Sequence, residues 1–339
     1  MSTSSARTRP AVALRYDLRC PNLGTRPVDL LAAALDHAAY AEQHGVERVQ
    51  VSEHHHSEDG YIPAPFVAAA AFAARTRTMR VRLSALVLTL HDPVRAAEDL
   101  AMIDVLSNGR LEVTAAAGYR VIEFEMLGQP FAGRGTRLRH AIALLREAWT
   151  GEPTTFEGRP VLVRPRPVQP GGPPIIMGGS TPKAARRAAE IADGFDPTDP
   201  ALIGDYLAAC AALGRTPGDS RPKVGPFFVH VSDDPERDRQ RLAPHVQHEM
   251  QQYAAWAAAS PVGGTPAIAL DDVWRVGSHH VLTPAECVDL LAGLDPGGVF
   301  SLHPLAGGLP PDAADESLRL FVEDVLPQLT PPVTEETSA

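Results

Sequence analysis

The feature that most limits the fold of this chain is its alternation. From about residue 10 to residue 330, short β-prone runs and amphipathic helical stretches follow one another almost without a break. Ala11–Tyr16, Arg48–Ser52, Met79–Leu88, Arg110–Ala117, Pro174–Met177, Gly194–Asp196, Lys223–Val231 and Gly298–Leu302 read as eight strands. Between them lie helical spacings. Leu31, Leu35, Ala38 and Ala41 recur on one face, and Ala64–Arg75 forms a second stretch. Asp92-Pro93 opens a third, because an aspartate cap followed by proline suits a first helical turn; Thr181-Pro182 and Asp199-Pro200 repeat the device. Leu138, Ile142, Leu145 and Trp149 share another face, and a last helix runs from about Asp312 to Leu326. Strands alternating with helices predict an α/β fold, a closed parallel (β/α)8 TIM barrel. The competing open, doubly wound sheet is disfavoured, since no strand is followed by a full G-x-G-x-x-G.

Two insertions interrupt the pattern. Thr154–Val163 reads as a hairpin turning at Glu157-Gly158, and residues 234–282 as an irregular helical lid carrying Trp256 and Gly263-Gly264. Thr283-Pro284-Ala285-Glu286 reads as a capping box, in which the threonine hydroxyl and the glutamate carboxylate satisfy each other's backbone donors. Residues 10–330 are expected to form one domain, with polar, loose tails at 1–9 and 331–339.

A length of 339 residues fits one elaborated barrel, and the formal charge of −10 argues against nucleic acid or an anionic membrane as partner. Cys20, Cys210 and Cys287 are too scattered for a disulfide framework or a metal spacing, so a reducing cytoplasm is expected. No run reaches the ~18 apolar residues of a membrane span, and the polar first ten residues do not read as a secretory signal.

In such a barrel, sites form at the carboxyl ends of the strands. The second strand ends in Glu53-His54-His55-His56, an ionisable cluster that must be paired or solvated. The third passes through the small Ser84-Ala85, and the fourth ends at Ala115-Ala116-Ala117-Gly118-Tyr119. The fifth runs through Met177 into Gly178-Gly179-Ser180-Thr181 and a proline-started helix, which together read as an anion seat of backbone N–H groups, hydroxyls and helix dipole. Gly179 reads as a close approach that leaves room for a phosphate. A flat, glycine-lined slot between that seat and the imidazoles suits a planar phosphate-bearing cofactor. No metal is expected, because adjacent histidines do not readily chelate one ion.

Over residues 11–328 the chain resembles the bacterial luciferase-like family of flavin-dependent monooxygenases and reductases. The resemblance is carried by Ser52-Glu53-His54-His55, by His91-Asp92-Pro93-Val94-Arg95-Ala96-Ala97-Glu98-Asp99 leading to Ser107-Asn108-Gly109-Arg110, and by Gly118-Tyr119 with Glu123-Phe124 and Gly128. Pro174 through Gly178-Gly179-Ser180 and Thr283-Pro284-Ala285-Glu286-Cys287 complete it. It implies the (β/α)8 fold, a homodimer, and reduced flavin mononucleotide (FMN) or coenzyme F420 as cofactor. It also implies a cis peptide at Ser84-Ala85. His54 would be the catalytic acid/base, with Glu53 and His55 orienting it or lining the ring pocket. Ser84, Ala85, Ala117, Gly118, Tyr119, Met177, Gly178, Gly179, Ser180 and Thr181 would surround the cofactor. His91 is expected to support the site from behind. Two departures stand out. Ala116 replaces a reactive cysteine of true luciferases, which argues against light emission. Ala117 replaces their phosphate-binding arginine, leaving the phosphate to Gly179, Ser180 and Thr181, with Lys183 nearby.

Three functions follow. The favoured one is a monooxygenase using FMN, reduced by a separate flavin reductase, and oxygen on a small organic substrate. The alternatives are an F420-dependent hydride-transferring oxidoreductase and a non-catalytic flavin-binding protein. Tyr61, Phe66, Phe131 and Trp256 are candidates for the substrate wall.

Overall fold

The computed structural model describes residues 7–218, 222–259, 270–275 and 277–332. The expected alternation is present: β1 (Ala11–Tyr16), α1 (Pro27–Glu42), β2 (Arg48–Val51), α2 (Pro65–Arg75), β3 (Arg80–Leu86), α3 (Pro93–Ser107) and β4 (Leu111–Ala115). A short α4 (Val121–Met126) and α5 (Arg134–Ala148) precede the hairpin of β5 (Thr154–Phe156) and β6 (Arg159–Val161), which lies where the sequence placed it. Then come β7 (Ile175–Gly179), α6 (Pro182–Ile191), β8 (Gly194–Pro197), α7 (Leu202–Ala212), β9 (Phe228–Val231) and α8 (Pro235–Ala258). The last elements are β10 (His279–Leu282), α9 (Pro284–Ala292), β11 (Val299–Leu302) and α10 (Pro311–Leu320).

Seven parallel strands form one curled sheet in the order β11-β1-β2-β3-β4-β7-β8. This is the (β/α)8 TIM-barrel architecture that the alternation predicted. The seventh expected strand differs. Lys223 makes an isolated bridge to Val299 and its ammonium lies 3.5 Å from Asp196 on β8, so this residue spans the gap where the sheet closes. The regular strand begins later, at Phe228, and pairs in parallel with β10. That partner falls inside the stretch read as helical lid. The rest of the lid is α8, 24 residues long with Pro244 inside it, and a 3-10 turn over Leu270–Arg275; Gly263-Gly264 lies outside the described residues.

Caps act as the sequence implied. The Asp92 carboxylate accepts from Val94 N and Arg95 N, Thr181 caps Ala184 N, and Thr283 with Glu286 forms the full capping box. Residues 1–6 and 333–339 of the expected tails lie outside the described residues. Residues 7–9 are fixed to the barrel: Arg7 bonds Asp289, Thr8 bridges Thr330, and the buried Arg9 pairs with Glu47 at 2.9 Å. Among the described residues no helix is long and apolar enough to cross a membrane.

The two faces of the strands are both buried but chemically different. Val49, Val51, Val81, Leu83, Leu111 and Val113 pack in the apolar core. The alternate positions are polar or charged. Arg48 reaches Glu112 across the intervening strand at 3.0 Å, and Arg82 reaches Asp196 at 3.3 Å. A barrel interior of this kind is usually filled with branched apolar side chains. Here ion pairs fill it, and the side chains of all four residues are less than 10 % exposed.

The proline-rich connection between β6 and β7 is pinned by one carboxylate. Asp104 on α3, fully buried, accepts from Val168 N at 2.7 Å, Gln169 N at 3.0 Å and Gln169 Nε2 at 2.6 Å. Asp104→Ala is therefore expected to lower the unfolding free energy by about 1.5–3 kcal/mol, the scale of losing hydrogen bonds to a buried charge. Asp289→Ala, whose exposed carboxylate only pairs with Arg7, should cost no more than ~1 kcal/mol. Chemical denaturation of the two variants checks the contrast.

Candidate active site

β2 delivers its last residues into the mouth of the barrel, where Glu53, His54 and His55 are all buried. Glu53 is fully paired. One oxygen accepts from His55 Nε2 at 2.8 Å and His91 Nε2 at 2.7 Å, and the other from Val87 N at 2.6 Å. Burial alone would raise this carboxyl, but the donors outweigh burial and hold it at about 2. Glu53 is thus an anion that fixes His55, His91 and the loop after β3. His55 is raised in turn, chiefly by its bond to Glu53.

The partner of the His54 ring is Glu123, not Glu53. His54 Nδ1 lies 2.7 Å from Glu123 Oε1. The same oxygen accepts from His55 N at 3.0 Å and Arg120 Nη1 at 2.9 Å. Arg120 also donates to the carbonyls of His55 and His56, so α4 and the end of β2 are stitched together. The carboxylate fixes the tautomer: Nδ1 carries the proton and Nε2 is left as a proton acceptor. Burial lowers the His54 pKa more than Glu123 raises it, and the guanidiniums of Arg120 and Arg19 lower it further. Among the described residues Nε2 has no hydrogen-bond partner. The arrangement is a buried, neutral imidazole aimed away from its carboxylate.

On one side of His54 the surface is small and open. Ser84, Ala85, Ala116, Ala117, Gly118, Gly178 and Gly179 are all half-exposed, in strands that are otherwise buried. The Ser84-Ala85 peptide is cis, as the resemblance implied, and the β3–β4 register shifts there. A Cβ on Gly178 would lie 3.7 Å from that of Ala116, which places β4 and β7 side by side at the opening. Gly118 has a φ of +75°, and a side chain there would strike Val87 and Phe124. Met177 is fully buried and belongs to the core beneath.

At the anion seat, a Cβ on Gly179 would come within 2.4 Å of the Ala184 Cβ, so the packing of β7 on α6 by itself requires a glycine here. Ser180, Thr181 and Lys183 are exposed. The Thr181 hydroxyl is already occupied in capping Ala184 N at 3.2 Å. Two guanidiniums that the motif did not include lie close by. Arg134 Nε donates to the Gly118 carbonyl at 3.0 Å, and its pKa is lowered by burial and then by the charges of Arg137 and Arg187. Arg187 on α6 packs over Gly135 at the start of α5. Among the described residues neither makes an ion pair.

On the other side of His54 the surface is aromatic and cationic. Tyr61 stands edge-on at 4.9 Å between ring centroids, Tyr119 edge-on at 5.6 Å, and Trp256 of α8 at 4.7 Å. Arg19, at the mouth of β1, is wholly buried. It bonds Asp17 and Asp59 and lies over the rings of Tyr61, Tyr253 and Trp256. Of the four expected wall residues, Tyr61 and Trp256 meet His54. Phe66 packs on His91 at 5.0 Å and Phe131 on Phe124 at 5.1 Å, both away from the His54 ring.

Sequence reading missed Glu123, Arg120, Arg19, Arg134 and Arg187 as site residues. Glu123 was visible only as part of the motif Glu123-Phe124. Its role arises from a contact with a residue 69 positions away. Arg19 left a weaker signal, an arginine directly after a strand end, alternating with Asp17.

Comparison with known proteins bears on the whole arrangement. The profile of the luciferase-like monooxygenases matches residues 16–292. An F420-dependent glucose-6-phosphate dehydrogenase of Amycolatopsis mediterranei (strain U-32) is 27 % identical over 320 residues, covering 87 % of this chain and 93 % of the relative. The oxygenase component of a flavin-dependent trigonelline monooxygenase of Acinetobacter baylyi (strain ATCC 33305 / BD413 / ADP1) is 25 % identical over 230 residues, 64 % of this chain and 63 % of the relative. A crystal structure of a Streptomyces bottropensis monooxygenase superposes with a TM-score of 0.71 at 24 % identity, covering 93 % of this chain and 98 % of that one. The barrel, the strand-end cluster and the extent of the match together place this chain in the luciferase-like monooxygenase family, whose relatives include both flavin- and F420-dependent oxidoreductases.

Proposed function

We propose that the chain is an F420-dependent oxidoreductase that takes a hydride from an alcohol carbon of a small organic substrate, with His54 as the base. The observation that carries this reading is the geometry of the His54–Glu123 pair, in which Nδ1 is held 2.7 Å from Glu123 Oε1 and Nε2 is left as a proton acceptor. A histidine whose pKa lies below its ordinary value is neutral at pH 7, so it can accept a proton but has none to give from Nε2. Oxidation of an alcohol needs such an acceptor; oxygen activation calls for a donor. The F420-dependent name of the Amycolatopsis relative supports the same choice. A bound deazaflavin supplies a ring that accepts the hydride and does not react usefully with oxygen. Within the chain, His54 Nε2 takes the hydroxyl proton as the carbinol becomes a carbonyl, and Glu123 Oε1 steadies the resulting imidazolium. Glu53 holds the wall in place. The small strand ends at Ser84-Ala85, Ala116–Gly118 and Gly178-Gly179 would face the ring, with Tyr119 at their edge against His54, and Ser180, Thr181, Arg134 and Arg187 would face the phosphate. The two arginines would supply the charge that Ala117 withholds.

The second reading, an FMN- and oxygen-dependent monooxygenase fed by a separate reductase, is favoured by the His91–Arg110 run and by the trigonelline monooxygenase among the relatives. A non-catalytic flavin store has no use for a buried imidazole–carboxylate pair.

Titration of the purified protein with coenzyme F420 and, separately, with FMN is expected to show tighter binding of F420, and reduction of F420 by substrate without oxygen uptake. His54→Ala should retain binding and lose about 10²–10⁴-fold in turnover. Oxygen consumption dependent on reduced FMN would replace this reading by the second.

The wild-type turnover should rise with pH through a midpoint below the ordinary histidine value, because His54 works only when deprotonated. Glu123 raises the His54 pKa, so Glu123→Gln should move that midpoint to still lower pH while reducing the plateau. An unmoved acid limb would remove Glu123 as the positioning residue for His54.

A further inference from the structure

The inner face of α8 carries Glu249, Tyr253 and Trp256, successive turns that all point into the barrel mouth. The Trp256 indole is held there in a particular way. Arg120 lies 4.0 Å and Arg19 4.4 Å from its ring centroid, and the His54 ring is 4.7 Å away. A flat ring is thus gripped by two guanidiniums immediately beside the base. Arg19 has an unspent donor. Its Nε and Nη1 bond Asp17 and Asp59, but Nη2 is buried with no hydrogen-bond partner among the described residues, and the side chain is 0 % exposed. A fully buried N–H without an acceptor is rare and costly in a finished structure. The aromatic faces around it satisfy it only partly.

The seat of α8 is imperfect as well. Glu249 Oε1 lies 3.4 Å from His303 Nδ1 and 3.8 Å from Arg15 Nη2, and His303 Nε2 lies 3.5 Å from Asp17 Oδ1; at these distances neither Glu249 oxygen and neither His303 nitrogen has a well-formed hydrogen bond among the described residues. Arg15 of β1 ties this face to the strands, donating to the Tyr253 hydroxyl at 2.8 Å beside its longer ion pair with Glu249. The helix itself is held by His248 on Asp59 at 2.8 Å and by the Tyr253 and Tyr61 hydroxyls at 3.3 Å, but among the described residues the Trp256 indole makes only ring contacts, so turning it out of the mouth breaks no hydrogen bond of its own.

We infer that Trp256 is a removable plug in the substrate slot, and that the substrate is a flat-ringed anion whose carboxylate or phosphate takes the free donor of Arg19. The ring of the ligand would replace the indole between Arg19 and Arg120, and its negative group would supply the acceptor that the tryptophan lacks. This rests on the reading of His54 as the reacting centre; the binding claim itself needs no cofactor and is tested without one.

The probes are indole-3-carboxylate, its neutral carboxamide and phenyl phosphate, each titrated against the cofactor-free full chain at constant ionic strength and followed by isothermal calorimetry. The carboxylate is expected to bind about 10- to 100-fold tighter than the carboxamide, the scale of one buried charge-assisted hydrogen bond. Trp256→Ala should tighten the carboxylate further, roughly tenfold, since no indole must be displaced, and Arg19→Gln should erase the preference over the carboxamide. Phenyl phosphate binding more tightly than the carboxylate would identify the anion as a phosphate within the same proposal. Equal affinities for carboxylate and carboxamide in the wild type would overturn it whether or not the Arg19 variant folds. So would unchanged or weaker affinity in Trp256→Ala, which would make the indole a wall and not a plug. Displacement of the carboxylate by FMN or F420 would also overturn it, by making the slot the cofactor's. Anion binding with no response to F420 would leave this inference standing and remove only the cofactor assignment.

Discussion

A single carboxylate oxygen, Glu123 Oε1, holds the mouth of the barrel together. It receives the imidazole of His54, the backbone N–H of His55 and the guanidinium of Arg120. Without it the end of β2 would carry a buried imidazole of undefined tautomer beside a buried guanidinium, and unpaired buried charge is strongly destabilising. Oε2 of the same group is buried without a hydrogen-bond partner among the described residues. The six-residue helix α4 is too short to persist on its own, so the interaction that orients His54 also secures the helix that supplies it.

The same constraint governs the interior below. The alternation Arg48-Val49-Gln50-Val51, repeated in Arg80-Val81-Arg82-Leu83, would ordinarily mark strands with one wet face. Here the polar face turns inward and is dry. Desolvating Arg48, Arg82, Glu112 and Asp196 is expensive, and pairing across the barrel offsets it only when each strand sits in register. These pairs contribute less to stability than to excluding other registers, since a one-residue slip would place valines against charges.

Around His54 the mouth divides into two unlike halves. The β3, β4 and β7 ends are built from alanine, serine and glycine and stay open. The β1 and β2 ends, with α8, are aromatic and cationic and are closed. Small side chains let a planar group approach the backbone; guanidiniums over aromatic rings grip a planar group by its face. The imidazole stands between the two. The strand-end residues thus differ sharply in size on the two sides of one imidazole. Gly179 has a packing reason that its sequence did not announce: a side chain there would collide with Ala184 on α6.

What the sequence determined by itself was local. Periodicity, proline-started helices and capping residues specified nearly every element, because these signals lie within a few residues of the structure they encode. Asp92, Thr181 and the Thr283–Glu286 box cap as their side-chain chemistry requires. The strand-end cluster was legible for the same reason: the end of a buried strand is a local position, and Glu-His-His there is a local composition. Tertiary structure decided which carboxylate meets which imidazole. Glu53 lies next to His54 in the chain but turns to His55, His91 and Val87, because neighbours at a strand end diverge. Glu123 lies 69 residues away but is brought to His54 by α4. Closure of the sheet at Lys223, the pairing of β9 with β10, and the burial of Arg19 beneath Trp256 are long-range outcomes of the same kind. Each depends on distances between elements that close only when the barrel does, and no window of sequence contains them.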